Sequence, residues 1–286
     1  MTFPQKMVVL EHMTITKQFF LVLCVGFLLT GAGCAYVTPS VPVEDAPAVT
    51  VSESTNVTIE SPTPRESISN PIHIAGQARV FESNVSWRVV NWREEVVASG
   101  FTMANAPDTG QFGDYSVYVP VDISWPPGTY RVEVLSYSAK DGSEQDLASV
   151  PVTLSPQETQ VVSLAFLKNG NSTNFDCAYT FNVTREIPKT ISPARVVSIL
   201  LLEGPNSEEQ NQGYTSGIPT GTTLRDINLS KDGLLTIDLG GAIEYGLGGS
   251  CLVTSIRSQI ENTLKQFDSV KDVKVLIGGQ DDRLEP

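Results

Sequence analysis

Between Val57 and Leu154 the chain repeats one device, a short β-prone run followed by a turn, with no helical period anywhere in the segment. The runs are Asn56-Val-Thr-Ile-Glu60, Ile72-His-Ile-Ala75, Val85-Ser-Trp-Arg-Val-Val90, Glu95-Val-Val-Ala-Ser99, Tyr115-Ser-Val-Tyr-Val119, Tyr130-Arg-Val-Glu-Val-Leu135 and Ala148-Ser-Val-Pro-Val-Thr-Leu154. Pro126-Pro-Gly128 and Lys140-Asp-Gly142 supply turn chemistry between them. Short strands at this spacing pair antiparallel and must close over a shared core, so the segment is expected to be an all-β sandwich of immunoglobulin type. It contains no cysteine, which sets it apart from antibody domains with their inter-sheet disulfide.

From about Gln160 the rhythm changes. Val161–Leu167 and Tyr179–Val183 read as strands, and Ser192-Pro193 places a cap and a first-turn proline before a helix that Gly204-Pro205 stops. Ala194, Val197, Leu200 and Leu201 share one face of that helix. Thr222–Leu229 and Leu234–Leu239 flank Lys231-Asp-Gly233 as a hairpin. A second helix carries Leu252, Val253, Ile256, Ile260, Leu264 and Phe267 inward and Arg257, Glu261 and Lys265 outward, and Val273–Ile277 is a last strand. The fold class expected is therefore an immunoglobulin-like sandwich followed by an α+β domain, a small sheet with two helices. Tyr214-Thr-Ser-Gly217 lacks the Gly-x-Ser-x-Gly nucleophile pattern and reads as a loop.

Both halves resemble known families. Glu60-Ser-Pro62, Asn70-Pro-Ile-His-Ile-Ala-Gly-Gln-Ala-Arg-Val-Phe-Glu82, Thr109-Gly-Gln-Phe-Gly113, Asp141-Gly142 and Val150-Pro-Val152 resemble the immunoglobulin-like domain called Gmad2 of bacterial sporulation and germination proteins. Val183-Thr-Arg185, Leu201-Leu-Glu-Gly-Pro205, Ser216–Leu224, Thr236-Ile-Asp-Leu239, Gly248-Gly-Ser-Cys251, Gln259–Phe267 and Val270–Gly279 follow in the order of the germane, or GerMN, domain. The domain boundaries expected are a signal peptide over 1–33, a tether over 34–56, Gmad2 over 57–156 and GerMN over 157–286. The resemblance implies a non-catalytic extracytoplasmic module of the kind found in lipoproteins of sporulation, germination and envelope signalling. Spore formation does not follow from it.

The N-terminus reads as an address. Lys17 precedes an apolar run, Phe19 to Leu29, that dissolves into Thr30-Gly-Ala-Gly-Cys34. This is shorter than the roughly 20 apolar residues of a membrane span and has the layout of a secretory signal. A start at Met13 would give it a compact basic head. Gly31-Ala-Gly-Cys34 resembles the bacterial lipobox, with Gly31 where leucine is usual, so Cys34 is the expected lipidation site and the protein is expected to be extracytoplasmic and lipid-anchored to the cell membrane. Cys24, inside the apolar run, is read as packing. The proline-, small-residue- and acid-rich stretch after Cys34 reads as the tether.

With 32 acidic against 19 basic residues, a net charge of −13 repels phosphate backbones, and nucleic acid is not an expected partner. The chain has only 2 histidines, His12 and His73, too few for a histidine-centred metal site or triad. Asp108–Asp114 and Asp141–Asp146 alternate carboxylates as calcium loops do but lack the ligand spacing, and read as hairpin turns.

Gly246-Leu-Gly-Gly-Ser-Cys251 has neither phosphate-loop nor dinucleotide-loop spacing, although helix-start amides can hold an anion. Cys251 at that helix start has the field that activates a thiol but no histidine beside it in the sequence of its domain. An exported thiol pairs with another, and Cys177 is the other cysteine of the folded region, so Cys177–Cys251 is the expected disulfide.

No catalytic residue, metal site or cofactor is expected. The function expected is a membrane-anchored envelope scaffold that binds envelope or membrane proteins. The alternative is a peptidoglycan- or glycan-binding surface protein that stacks sugars on Trp87, Trp92 or Trp125.

Overall fold

The computed structural model describes residues 51–169, 176–245, 247–281 and Leu284. The leader, Cys24, Cys34, His12 and the tether up to residue 50 lie outside the described residues. The described residues belong to one compact unit, Ala46–Pro286.

The first module contains β1 (Ser67–Ile68), β2 (Ile72–Ala78), β3 (Asn84–Asn91), β4 (Val96–Met103), β5 (Gly113–Val119), β6 (Gly128–Tyr137) and β7 (Glu144–Leu154). One sheet has the order β1-β7-β6-β3-β4 and the second is the pair β2-β5. All pairings are antiparallel except β1 with β7. Alternation decides which residues meet: Val85 and Val89 of β3, Tyr130, Val132 and Val134 of β6, and Val150 and Val152 of β7 close over Ile72, Ile74, Tyr115 and Val119 of the other sheet. This is the expected sandwich.

The expected strand at Asn56–Glu60 is not a regular one. It lies along β2 through single bridges, Val57 to Ala78 and Ser61 to Ala75, whose sums differ by one residue, so the register slips between them. Glu60 N and Ser61 N both donate to Ala75 O where the register slips, and two residues earlier the Thr58 carbonyl lies against Gly76. A Cβ there would sit 2.0 Å from Thr58 O, and the Tyr115 hydroxyl donates to the same oxygen at 2.7 Å. Burial pushes the Tyr115 phenol well above its ordinary range, so it remains a donor. Gly76→Ala is expected to cost about 2 kcal/mol from overpacking against backbone, read as a lower urea midpoint for the first module. An unchanged midpoint would show that the edge segment is not held there.

The second module contains β8 (Thr159–Lys168), β9 (Phe181–Pro188), α1 (Pro193–Glu203), α2 (Ser207–Asn211), β10 (Tyr214–Thr215), β11 (Thr222–Leu229), β12 (Leu234–Gly241), α3 (Ser250–Leu264) and β13 (Asp272–Ile277). The expectation of one small sheet with two helices needs correcting on three points. There are two three-stranded sheets, β10-β8-β9 and β11-β12-β13, there is a third short helix, α2, and Tyr214–Thr215 is a strand rather than loop. β12 and β13 run parallel with α3 in the connection between them. One core joins Leu164 and Phe166 of β8, Val197 and Leu201 of α1, Leu235, Ile237 and Leu239 of β12, Ile256, Ile260 and Leu264 of α3, and Val275 of β13.

Thr263 of α3 and Gln266, two residues beyond its end, bond to the backbone of β8. The Gln266 amide accepts from Ser163 N at 2.9 Å and donates to Ser163 O at 2.7 Å, and Thr263 Oγ1 accepts from Ala165 N at 2.9 Å. On the edge of β8 facing away from β9, β10 pairs with Leu167 and Lys168, and these side chains close the stretch at Ser163 and Ala165, which satisfies backbone groups that would otherwise be orphaned. Ser255, Gln259 and Thr263 form a buried polar stripe on α3, with Gln259 0% exposed.

Candidate functional site

At the start of α3 Gly249 serves the chain path, and Gly246 lies outside the described residues. Gly249 takes φ +89° as the residue before the helix, and Val253 N donates to its carbonyl at 3.2 Å. Two residues later Cys251 is joined to Cys177 by a disulfide, with Cα atoms 5.2 Å apart. A sulfur in that bond is no nucleophile. The bond ties the segment before β9 to the helix start.

The tryptophans do not form one face. The Trp87 ring covers Gly100 and packs against the core, with its Nε1 buried. Trp125 stacks on the buried Tyr130 at 5.7 Å, and Trp92 meets Tyr130 edge-on at 6.0 Å. Only Trp92 is substantially exposed, at 42%, with the Arg93 guanidinium 5.6 Å from its ring.

Carboxylates of the two loops already accept hydrogen bonds, some from their own turns and some from neighbouring segments. Asp108 Oδ1 accepts from Thr109 N, Asp141 Oδ1 from Ser143, and Asp146 from Asn56 Nδ2 and Ser136 Oγ. Among the described residues no His, Cys, Asp or Glu cluster has metal-binding geometry.

On the outer face of the larger sheet, charges run in a row: Glu94, Arg131, Glu133, Arg88, Glu144. Glu133, 3% exposed, lies between both guanidiniums, with Arg88 Nε at 2.5 Å. In the second module Arg185 grips Glu209 with two bonds, Nε to Oε1 at 2.8 Å and Nη2 to Oε2 at 2.6 Å. A polar depression of about 260 Å³ beside α3 and β13 is lined by Arg257, Asp272, Lys274 and Asp281. Its charges are also paired, Lys274 with Asp281 at 2.7 Å and Arg257 with Glu261 at 2.7 Å.

A polar seam joins the modules. Asn70, 2% exposed, donates from Nδ2 to Pro188 O at 2.9 Å and accepts from Val121 N at 3.0 Å. His73 stacks on Tyr118 at 4.5 Å, and Arg195 of α1 lies 4.1 Å from the Tyr118 ring. Arg195 also lies 3.9 Å from Asp226, and His73 Nε2 bonds Ser116 Oγ at 2.9 Å. Burial first, then Arg195, lowers the His73 pKa below the ordinary histidine value.

The folded state therefore binds His73's proton less readily than the unfolded chain. Its contribution is complete above about pH 6.5 and is lost as pH falls toward the lower folded value. Wild type is expected to lose stability relative to His73→Gln across that window in parallel urea titrations. A constant difference between the two would exclude His73 as a titrating member of the seam. Sequence reading did not find this seam: His73 read as an ordinary strand residue, and Asn70 and Arg195 gave no pairing signal.

Comparison with known proteins follows the same division. Residues 56–143 match the family model Gmad2, the immunoglobulin-like domain of bacterial spore germination. Residues 166–283 match the family model Germane, of sporulation and spore germination. No curated protein matches the chain. Among solved structures, the first GerMN domain of the sporulation protein GerM from Bacillus subtilis is similar at 25% identity and TM-score 0.35, covering 43% of this chain and 85% of that one. The tandem GerMN domains of the same Bacillus subtilis protein are similar at 22% identity and TM-score 0.33. That match covers 43% of this chain and 41% of the tandem chain, so this chain spans well under half of it.

Proposed function

From a Gmad2 domain followed by a Germane domain in one chain, we propose a non-catalytic scaffold of sporulation or germination type, held outside the cytoplasm by lipid on Cys34 and binding envelope or membrane proteins. The observation that carries this reading is the tandem itself: the two matched modules make up most of the described fold, and both families are described by spore germination. The seam at Asn70 and Arg195 supports it, because a scaffold must hold its binding surfaces at a fixed spacing. The Cys177–Cys251 bond supports export, since such bonds persist in oxidising compartments.

Among the described residues no helix is long and apolar enough to cross a membrane. The proposed anchor is the acyl chain on Cys34. Metabolic labelling with a fatty-acid probe is expected to mark wild type and to be abolished in Cys34→Ala. Equal label on both proteins, or none on wild type, removes the anchor.

A second reading, glycan binding, is favoured by exposed Trp92. Retention on purified peptidoglycan that disappears in Trp92→Ala would support it. Retention of protein partners alone supports the scaffold.

A further inference from the structure

The strand β4 has one partner, β3, and among the described residues no backbone hydrogen bond reaches its other edge. Its sequence, Val96-Val-Ala-Ser-Gly-Phe-Thr-Met103, contains no charge and no proline. That is unusual for a free edge, which proteins blunt with charge, proline or cover to prevent pairing. The other long edges of this molecule are blunted: β9 carries Arg185 and Glu186, β11 carries Arg225 and Asp226 at a register shift, β13 carries Asp272 and Lys274, and β5 carries Asp114. The edge of β2 is covered by residues 57–61.

Side chains on β4 point the same way. Phe101 and Met103 share a face and are 67% and 56% exposed. Opposite them on β3 stand only Ser86 and Asn84, which leave the apolar groups uncovered. Glu82 lies beside the Met103 end and Glu95 adjoins the Val96 end, both exposed and without a salt bridge, although Glu95 accepts from Asn91 Nδ2 at 2.8 Å and Arg93 of the same turn lies over Trp92.

We infer that the free edge of β4 receives an extended segment of a partner protein, apolar at its centre and basic at both ends, by strand addition to the sheet. Main-chain bonds to β4 would supply affinity, and alternate apolar side chains beside Phe101 and Met103 would supply selectivity. Charge favours such a partner over a second copy. An antiparallel copy centred on Gly100 would bring the Glu95 end of each strand to the Glu82 end of the other, between chains that each carry −13. The inference rests on the scaffold reading and names its docking site.

The test uses the full chain and the synthetic peptide Lys-Lys-Val-Thr-Val-Thr-Val-Lys-Lys. The expected result is saturable binding that protects β4 amides from hydrogen exchange and weakens about 30-fold in Phe101→Ser, the loss of one aromatic anchor. Phe101 is exposed, so the variant should remain folded, with its circular dichroism as the check. A peptide of the same charge with its central valine replaced by proline should not bind.

Equal binding of the proline peptide, unprotected β4 amides, or unchanged affinity in Phe101→Ser would overturn the inference. So would a dimer in sedimentation that Phe101→Ser abolishes, which would assign the edge to a second copy. If in-cell crosslinks to envelope proteins persist in Phe101→Ser, this site is wrong while the scaffold reading stands. If wild type forms none, the scaffold reading itself fails.

Discussion

Cys251→Ser, in protein purified under oxidising conditions, is expected to lower the stability of the second module by about 4 kcal/mol. The bond joins residues 74 apart in sequence, and closing a loop of that length removes conformational entropy from the unfolded chain. The folded state loses little, because α3 is held by Val253, Ile256, Ile260 and Leu264 in the core and by Thr263 and Gln266 on β8. The variant should therefore fold with the same secondary structure and unfold at lower urea, with a probe in α3 reporting the shift. Adding a dithiol reductant should bring wild type down to the variant's curve and leave the variant unmoved. Coincident curves for wild type and variant without reductant would mean that the bond does not form in solution.

Arg185→Ala is expected to cost about 3 kcal/mol, the lower end for breaking a buried ion pair. Arg185 donates to both oxygens of Glu209 and, through Nη2, to Gly204 O at 2.9 Å, so it holds the turn between α1 and α2. Glu209 in turn accepts from Asn206 N and donates its own N–H to Asn206 Oδ1, a reciprocal cap at the start of α2. Removing the guanidinium leaves a buried carboxylate with only the cap and frees the carbonyl that ends α1.

Burial pushes the Glu209 carboxyl upward, and the Arg185 and Asn206 hydrogen bonds more than offset it, so its pKa lies below the usual range. A depressed carboxyl contributes stability that is complete above about pH 4.3 and lost as pH falls through the folded value. The gap between wild type and Arg185→Ala should narrow in acid. Arg185→Lys should recover only part of the loss, since an ammonium lacks the planar fork that spans both oxygens. Full recovery with lysine, or a gap independent of pH, would contradict this role.

The parts of this fold legible in the sequence are those that local chemistry determines. Ser192-Pro193 and Gly204-Pro205 bracket α1 where the structure places it, Pro193–Glu203, because a first-turn proline and a terminal glycine act within a few residues. The apolar stripe of α3 reads correctly for the same reason, although Leu252 turns out exposed. α2 was also readable, since Asn206-Ser-Glu-Glu209 is a capping-box pattern. What sequence periodicity misses is pairing across distance. The seat of the edge segment along β2 depends on Thr58 meeting Gly76 and Tyr115. The closing of β8 at Ser163 depends on Gln266, more than a hundred positions away. Uncharged polar residues at Ser255, Gln259, Thr263 and Gln266 repeat at helical spacing, and that stripe was the available signal that one side of α3 seals a strand edge.

The candidate surface divides the same way. Cys177 and Cys251 are visible as a pair because cysteines are few, whereas Trp87 resembles a surface aromatic until the sheet turns it inward. The charge-free edge of β4 is a property of sheet order, which no local pattern encodes.

The most direct test of the scaffold account is crosslinking with mass spectrometry on the full chain in its native cell. An envelope scaffold should give crosslinks from lysines of both modules, Lys140 in the first and Lys168 and Lys231 in the second, to envelope or membrane proteins. Crosslinks confined to cytosolic proteins would contradict it.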